Sequence, residues 1–148
     1  MGFGQISLKG RALRLLAGRE HSRRELERKL APHEAEPGQL KTALDELQSR
    51  GFIDEQRVVD SVVYRRAARL GAGRIKQELQ AKGLDAERVA LAVASLKATE
   101  VERAREVWRK KFGELPVDAA QRGKQARFLS ARGFSGEVIQ RVLKLAED

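Results

Sequence analysis

The feature that most constrains this chain is an echo at nearly fixed spacing. Arg74 to Leu96 reads as a helix, a turn at Gly83-Leu84, and a second helix opened by Asp85. Leu79, Val89, Ala92, Val93 and Leu96 fall 49 residues after Leu30, Leu40, Ala43, Leu44 and Leu47. Leu79, Gly83, Leu84, Val89 and Val93 fall 50 residues before Leu129, Gly133, Phe134, Ile139 and Leu143. In every copy ten residues separate the first leucine from the first apolar residue of the next helix. Leucine coincidences are common, but a constant offset over five positions with a shared turn is not. Periods in this range mark stacked units that bury apolar faces against their neighbours.

Helical punctuation runs through the rest of the chain. Leu8 to Gly18 carries an apolar stripe at Leu8, Ala12, Leu13, Leu15 and Leu16, behind a loose leader at residues 1–7. Ser22 and Glu25 stand at capping-box spacing, as do Thr99 and Glu102. Pro32 closes the second helix, and Pro37 suits the first turn of the third. Asp54 caps what reads as the longest helix, extending to about Leu70. Val59, Val62, Val63, Ala67 and Leu70 share one side of it. Arg66 falls on that apolar side and calls for a snorkelling stem or a carboxylate partner. Gly71-Ala72-Gly73 is a helix-breaking turn; with no preceding strand and no Gly-Lys-Ser behind it, a phosphate loop is disfavoured. Val101, Ala104, Trp108 and Phe112 recur at helical spacing and read as core, while Glu106 and Lys110 form an outer i,i+4 pair. A further helix ends at Gly133, and Ser135 or Gly136 opens the last. No stretch reads as a strand. The expectation is an all-α chain of three tandem three-helix repeats, at residues 8–53, 54–98 and 99–148.

Chemistry is mostly excluded. The chain has no Cys, so it offers no disulfide, thiolate ligand or thiol nucleophile. Its two histidines, His21 and His33, are not at i,i+4, so no metal site or other cofactor is expected. Asp54 and Glu55 are explained as a cap and a first-turn acid, and adjacent helix residues do not converge. No catalytic residues are expected. No apolar run approaches the length of a membrane span, and Met1 to Arg11 lacks a signal-peptide core, so a cytoplasmic chain is expected. Lys and Arg number 30 against 21 Asp and Glu, a net charge of +9. Each repeat carries the same basic excess, so the charge belongs to the folded body and attracts polyanions or acidic protein surfaces. An Arg-rich proteome would give the same composition without any partner.

Three-helix units with basic helices also resemble helix-turn-helix DNA readers. The solvent side of residues 87–97, read as Glu87, Arg88, Ser95 and Lys97, is thin for a base-reading helix.

Five stretches in order, RALRLLAGREHSRRELERKL (11–30), GFIDEQRVVDS (51–61), GAGRIKQELQAKG (71–83), KKFGELP (110–116) and KQARFLSARGFSGEVI (124–139), resemble the RecX family of recombinase regulators. The resemblance spans residues 8 to 146. Asp54-Glu55 and Arg57-Val58 stand where the family usually has Asp-Asp and Arg-Phe. The resemblance implies three tandem three-helix repeats in an elongated, curved arrangement. It also implies a non-enzymatic regulator of the RecA recombinase filament, which limits filament growth, ATP hydrolysis and strand exchange. Weak non-specific binding of single- and double-stranded DNA and a monomeric state accompany this reading. A stand-alone helical DNA-binding module is the alternative.

The partner surface is expected on the outer side of the 54–70 helix. The wheel points Tyr64, the chain's only Tyr, away from Val59 and Val63 and toward Arg57 and Arg65. Arg69 and Arg74 follow near the helix end, and Lys76, Arg103 and Lys110 complete the candidate set. An exposed aromatic among arginines has the composition of an interface anchor. Packing of Tyr64 on an adjacent unit is the alternative.

Overall fold

The computed structural model describes residues 6–147, with side chains described through Lys144. The described residues form nine α-helices and contain no strand. They are α1 (Leu8–Gly18), α2 (Arg23–Leu30), α3 (Gln39–Ser49), α4 (Glu55–Arg66), α5 (Ala72–Ala81), α6 (Ala86–Lys97), α7 (Glu100–Lys111), α8 (Ala119–Ala131) and α9 (Gly136–Glu147). Most of the expected leader, residues 1–5, lies outside the described residues; Ser7, its last residue, caps α1 by accepting from the Gly10 N–H.

Each group of three helices closes on its own apolar cluster. Leu26, Leu30, Leu40, Leu44 and Leu47 centre the first, Val58, Val62, Ile75, Leu79 and Val89 the second. Leu129, Phe134, Ile139, Val142 and Leu143 centre the third, around Ala104 and Trp108. The echoed leucines Leu30, Leu79 and Leu129 are all buried. Close helix packing stays inside these groups, apart from the consecutive α6 and α7. Three small cores in a row expose more surface than one large core. The accessible surface is 9500 Å², against roughly 7600 Å² for a compact monomer of this length.

Local chemistry explains the helix ends. Ser22 accepts from the Glu25 N–H at 3.2 Å while Glu25 accepts from the Ser22 N–H at 3.0 Å, a complete capping box. Asp54 and Asp85 cap α4 and α6, and Ser135 accepts from the Val138 N–H to open α9. The α5–α6 and α8–α9 turns pass through Gly83 (φ 73°) and Gly133 (φ 95°), which adopt the left-handed backbone that ends a helix cheaply only at glycine. Trp108 is buried, and its Nε1 donates to Gln125 Oε1 at 2.8 Å.

Several expectations need correction. The first unit replaces the glycine turn with a 3-10 turn at Ala31–His33, and Pro37 lies in the loop before Gly38 rather than inside α3. Helix α4 stops at Arg66, not near Leu70, and at 12 residues it is shorter than α8 at 13. Helix α5 begins at Ala72, and α8 ends at Ala131, before Gly133. Thr99 forms no capping box: its hydroxyl donates to the Leu96 carbonyl at 3.3 Å instead. Val101 and Phe112 are only half-buried, Phe112 standing edge-on to Phe128 at 5.4 Å. The expected Glu106–Lys110 pair is present at 3.9 Å, and Glu106 holds Arg109 more closely, at 2.6 Å.

Candidate partner-binding surface

Helix α4 buries Val58, Val59 and Val62 and turns its other side to solvent. Tyr64 stands there 89% exposed. Arg65 is exposed beside it and reaches only its own helix, donating to the Ser61 carbonyl at 3.3 Å. Arg69 is exposed in the turn that follows; its N–H donates to the Arg66 carbonyl at 3.0 Å, and its guanidinium has no partner among the described residues. These three form the free part of the expected surface. Arg66, on the apolar side, donates to Glu78 Oε1 at 3.1 Å, the second of the two arrangements expected for it.

Three other candidates hold the units together. Arg57 donates to Glu20 Oε1 at 2.9 Å and to the Gly51 carbonyl at 2.7 Å, linking units one and two. Arg74 donates to the Ala131 carbonyl at 2.7 Å, linking units two and three. Arg103 donates to the carbonyls of Ala67 and Leu70 at 2.8 Å and of Leu96 at 2.9 Å, and its Nε reaches Thr99. Burial draws this guanidinium below its ordinary pKa, against the pull of Glu100. By taking the carbonyls that follow α4, Arg103 secures the turn that ends the helix early.

The two joints differ in kind. Between units two and three, the N–H groups of Gly71 and Gly73 donate to the carbonyls of Arg132 and Gly133, at 2.8 and 3.3 Å. The end of α8 thus supplies acceptors to the start of α5, satisfying groups that each helix alone leaves unpaired. Buried Glu100 accepts from the Ala72 N–H at 2.6 Å, a carboxylate at a helix N-terminus. A Cβ on Gly71 would meet the Gly133 backbone at 2.4 Å, which is why the break is glycine-rich. Between units one and two the joint is ionic. Glu25 accepts from Arg19 at 2.7 Å and lies 3.2 Å from Lys82 of unit two. Buried His21 sits nearby, its Nε2 3.0 Å from Lys29, and burial lowers its pKa.

The remaining candidates lie elsewhere. Lys110 is exposed on α7, loosely paired with Glu106. Lys76 is exposed on α5 and shares a groove with Arg24 and Lys97, two cations that the sequence reading did not select. The solvent side of α6 also differs from expectation: Ala90, Leu91 and Ala94 are exposed and Arg88 is half-buried. Among the described residues, no three His, Cys, Asp or Glu side chains are placed to hold a metal, and no helix is long and apolar enough to cross a membrane.

Comparison with known proteins follows the same three-unit division. The first, second and third three-helix domains of RecX match residues 9–47, 54–93 and 98–143. The regulatory protein RecX of Leptothrix cholodnii is 55% identical over 143 residues, covering 97% of this chain and 91% of that protein. That of Ralstonia nicotianae is 44% identical over 142 residues, covering 96% and 89%. Two solved structures share the fold at 19% identity. RecX from Lactobacillus salivarius has a TM-score of 0.79 over 95% of this chain and 94% of that one. A second regulatory protein RecX has 0.76 over 93% and 71%. With all three domains matched in order and close relatives over nearly its whole length, this chain belongs to the RecX family.

Proposed function

We propose that this chain is a non-enzymatic regulator that binds RecA recombinase filaments on DNA and restrains their growth, ATP hydrolysis and strand exchange. It acts as a cytoplasmic monomer. The family resemblance suggests the partner; the observation that carries the surface is Tyr64, 89% exposed on the middle unit, with exposed Arg65 next to it and exposed Arg69 in the turn that follows. A large exposed aromatic costs solvation when alone and anchors a contact when covered, and arginine is its usual companion at interfaces. The row of units offers a long surface to a long, repetitive partner. Contact with DNA is secondary and electrostatic, weak toward any sequence and lost steeply with salt.

The test is Tyr64→Ala with Arg65→Glu, assayed for recombinase inhibition and thermal melting. Inhibition falls while melting moves little, since both side chains lie outside the cores. Full inhibition with unchanged melting rejects this face. Tight binding to one duplex sequence at physiological salt would instead make the chain a stand-alone DNA reader.

A further inference from the structure

The solvent side of α6 is short of polar groups. Ala86, Ala90 and Ala94 are exposed, as is Leu91, at 74%. The alanines recur every fourth residue and so form one row along the helix. That row is one wall of a groove of about 630 Å³ between α5 and α6. Lys76 and Gln80 of α5 stand opposite, and Leu84, Val89 and Val93 supply apolar lining. Arg24 of the first unit lies against Gly83 at one end, and Lys97 ends α6 at the other. Among the described residues, no carboxylate lines the groove. Arg24, Lys76 and Lys97 have no partner among the described residues. Lys97 also borders a second hollow with Arg105, Arg141 and Lys144, where Glu102 is the one carboxylate among the described residues.

Two features identify the occupant. The cationic rim demands an acidic guest. The apolar interior demands side chains that gain by leaving water. Nucleic acid meets only the first demand, because its outer surface is phosphate and sugar. Single strands bind where bases stack on aromatic rings, and no aromatic among the described residues lines this groove. A helix meets both. The 12 residues of α6 run about 18 Å, three turns of a helix laid alongside. Alanine walls let its backbone approach closely. We propose that the α5–α6 groove receives an acidic amphipathic helix of the protein partner. Its apolar i, i+3, i+4, i+7 face lies along the alanine row and its carboxylates face Arg24, Lys76 and Lys97. The assignment rests on the regulator reading for who presents the helix, the recombinase, and adds a second contact to the one at Tyr64.

The decisive variant is Ala90→Gln with Ala94→Gln. Both replacements are good helix formers at exposed positions and leave the net charge unchanged, but they crowd the groove with polar atoms. Wild type and variant are sedimented with recombinase filaments assembled on single-stranded DNA. Thermal melting and fluorescence anisotropy with a labelled single-stranded oligonucleotide alone run in parallel. Capture on filaments should weaken about tenfold or more, with melting and oligonucleotide affinity unchanged. Capture equal to wild type overturns the groove. Parallel loss of filament and oligonucleotide binding also overturns it and assigns the face to nucleic acid. If the variant melts low, Lys76→Gln with Lys97→Gln carries the test: capture must fall, and undiminished capture overturns the proposal. Failure of the wild-type chain to sediment with filaments overturns the regulator reading itself, and this assignment with it.

Discussion

Replacing Glu25 by Gln probes the ionic joint between the first two units. The Glu25 carboxylate accepts from Arg19 at 2.7 Å and from the Ser22 N–H at 3.0 Å, and lies 3.2 Å from Lys82. Burial alone pushes its pKa up, but Arg19, the Ser22 N–H and Lys82 together outweigh burial and hold it at about 2, against an ordinary 4.5. Its side chain is only 15% exposed, so solvent screens these contacts little. That gap amounts to roughly 3 kcal/mol, at about 1.4 kcal/mol per tenfold change in proton affinity. The folded-state value is depressed, so the stabilisation is fully present above the ordinary value and is lost as pH falls from 4.5 toward 2. A Gln at this position still accepts from the Ser22 N–H but carries no charge. Glu25→Gln should therefore be less stable than wild type by about 2–3 kcal/mol at pH 7, and the difference should shrink to roughly half or less by pH 3. Denaturant unfolding of both chains at a series of pH values reads the difference directly. A difference that stays constant from neutral to acid pH, or none at neutral pH, refutes the reasoning.

Three further substitutions probe other parts of the fold. Ser22→Ala removes the acceptor for the Glu25 N–H and should cost about 1 kcal/mol; an unmoved denaturant midpoint would show that the cap contributes nothing. Gly71→Ala forces a Cβ onto the Gly133 backbone at 2.4 Å and should cost about 1–3 kcal/mol. Its control is Gly18→Ala, where a Cβ meets nothing within 4 Å and stability should rise by about 0.5 kcal/mol; equal effects in thermal melting would contradict the close approach. Arg103→Met keeps much of the stem but leaves the carbonyls of Ala67, Leu70 and Leu96 without their donor, so a loss of about 1–3 kcal/mol in denaturant unfolding is expected. A neutral result would mean that water replaces the guanidinium.

Short-range signals made most of the fold legible. The stripe from Leu8 to Gly18 gave α1 with both ends correct, because its apolar spacing and terminal glycine are local. Ser22, Asp54 and Asp85 were readable as caps for the same reason. Arg66, a charge on an apolar side, called for a snorkelling stem or a carboxylate, and the carboxylate is Glu78. What escaped depends on distant chain. Helix α4 ends early beside Arg103, whose guanidinium reaches Ala67 from 36 residues away. Thr99 turns its hydroxyl to Leu96 and receives Arg103, so the capping-box spacing lies idle. The groove escaped because alanine carries little weight on a helical wheel. Ala86, Ala90 and Ala94 could equally have been core, and only the packing of α5 against α6 shows them facing out.

The same distinction sorts the positive charge. A net +9 suggests a surface covered in available cations, yet Arg57, Arg74 and Arg103 are held by Glu20 or by backbone carbonyls at the joints. An arginine bound to carbonyls keeps its charge and still contributes to the long-range field that draws an anion in. It has few donors left for contact. On the proposals above, short-range recognition falls to cations whose side-chain donors have no partner among the described residues: Arg69 in the turn after α4, and Arg24, Lys76 and Lys97 around the α5–α6 groove. Removing a joint arginine should weaken partner binding only as far as it loosens the fold, so binding and melting should fall together. Removing a free cation should separate them, weakening binding while the melting temperature holds. A joint arginine whose loss abolished binding with melting intact would break this division and return that residue to the contact surface.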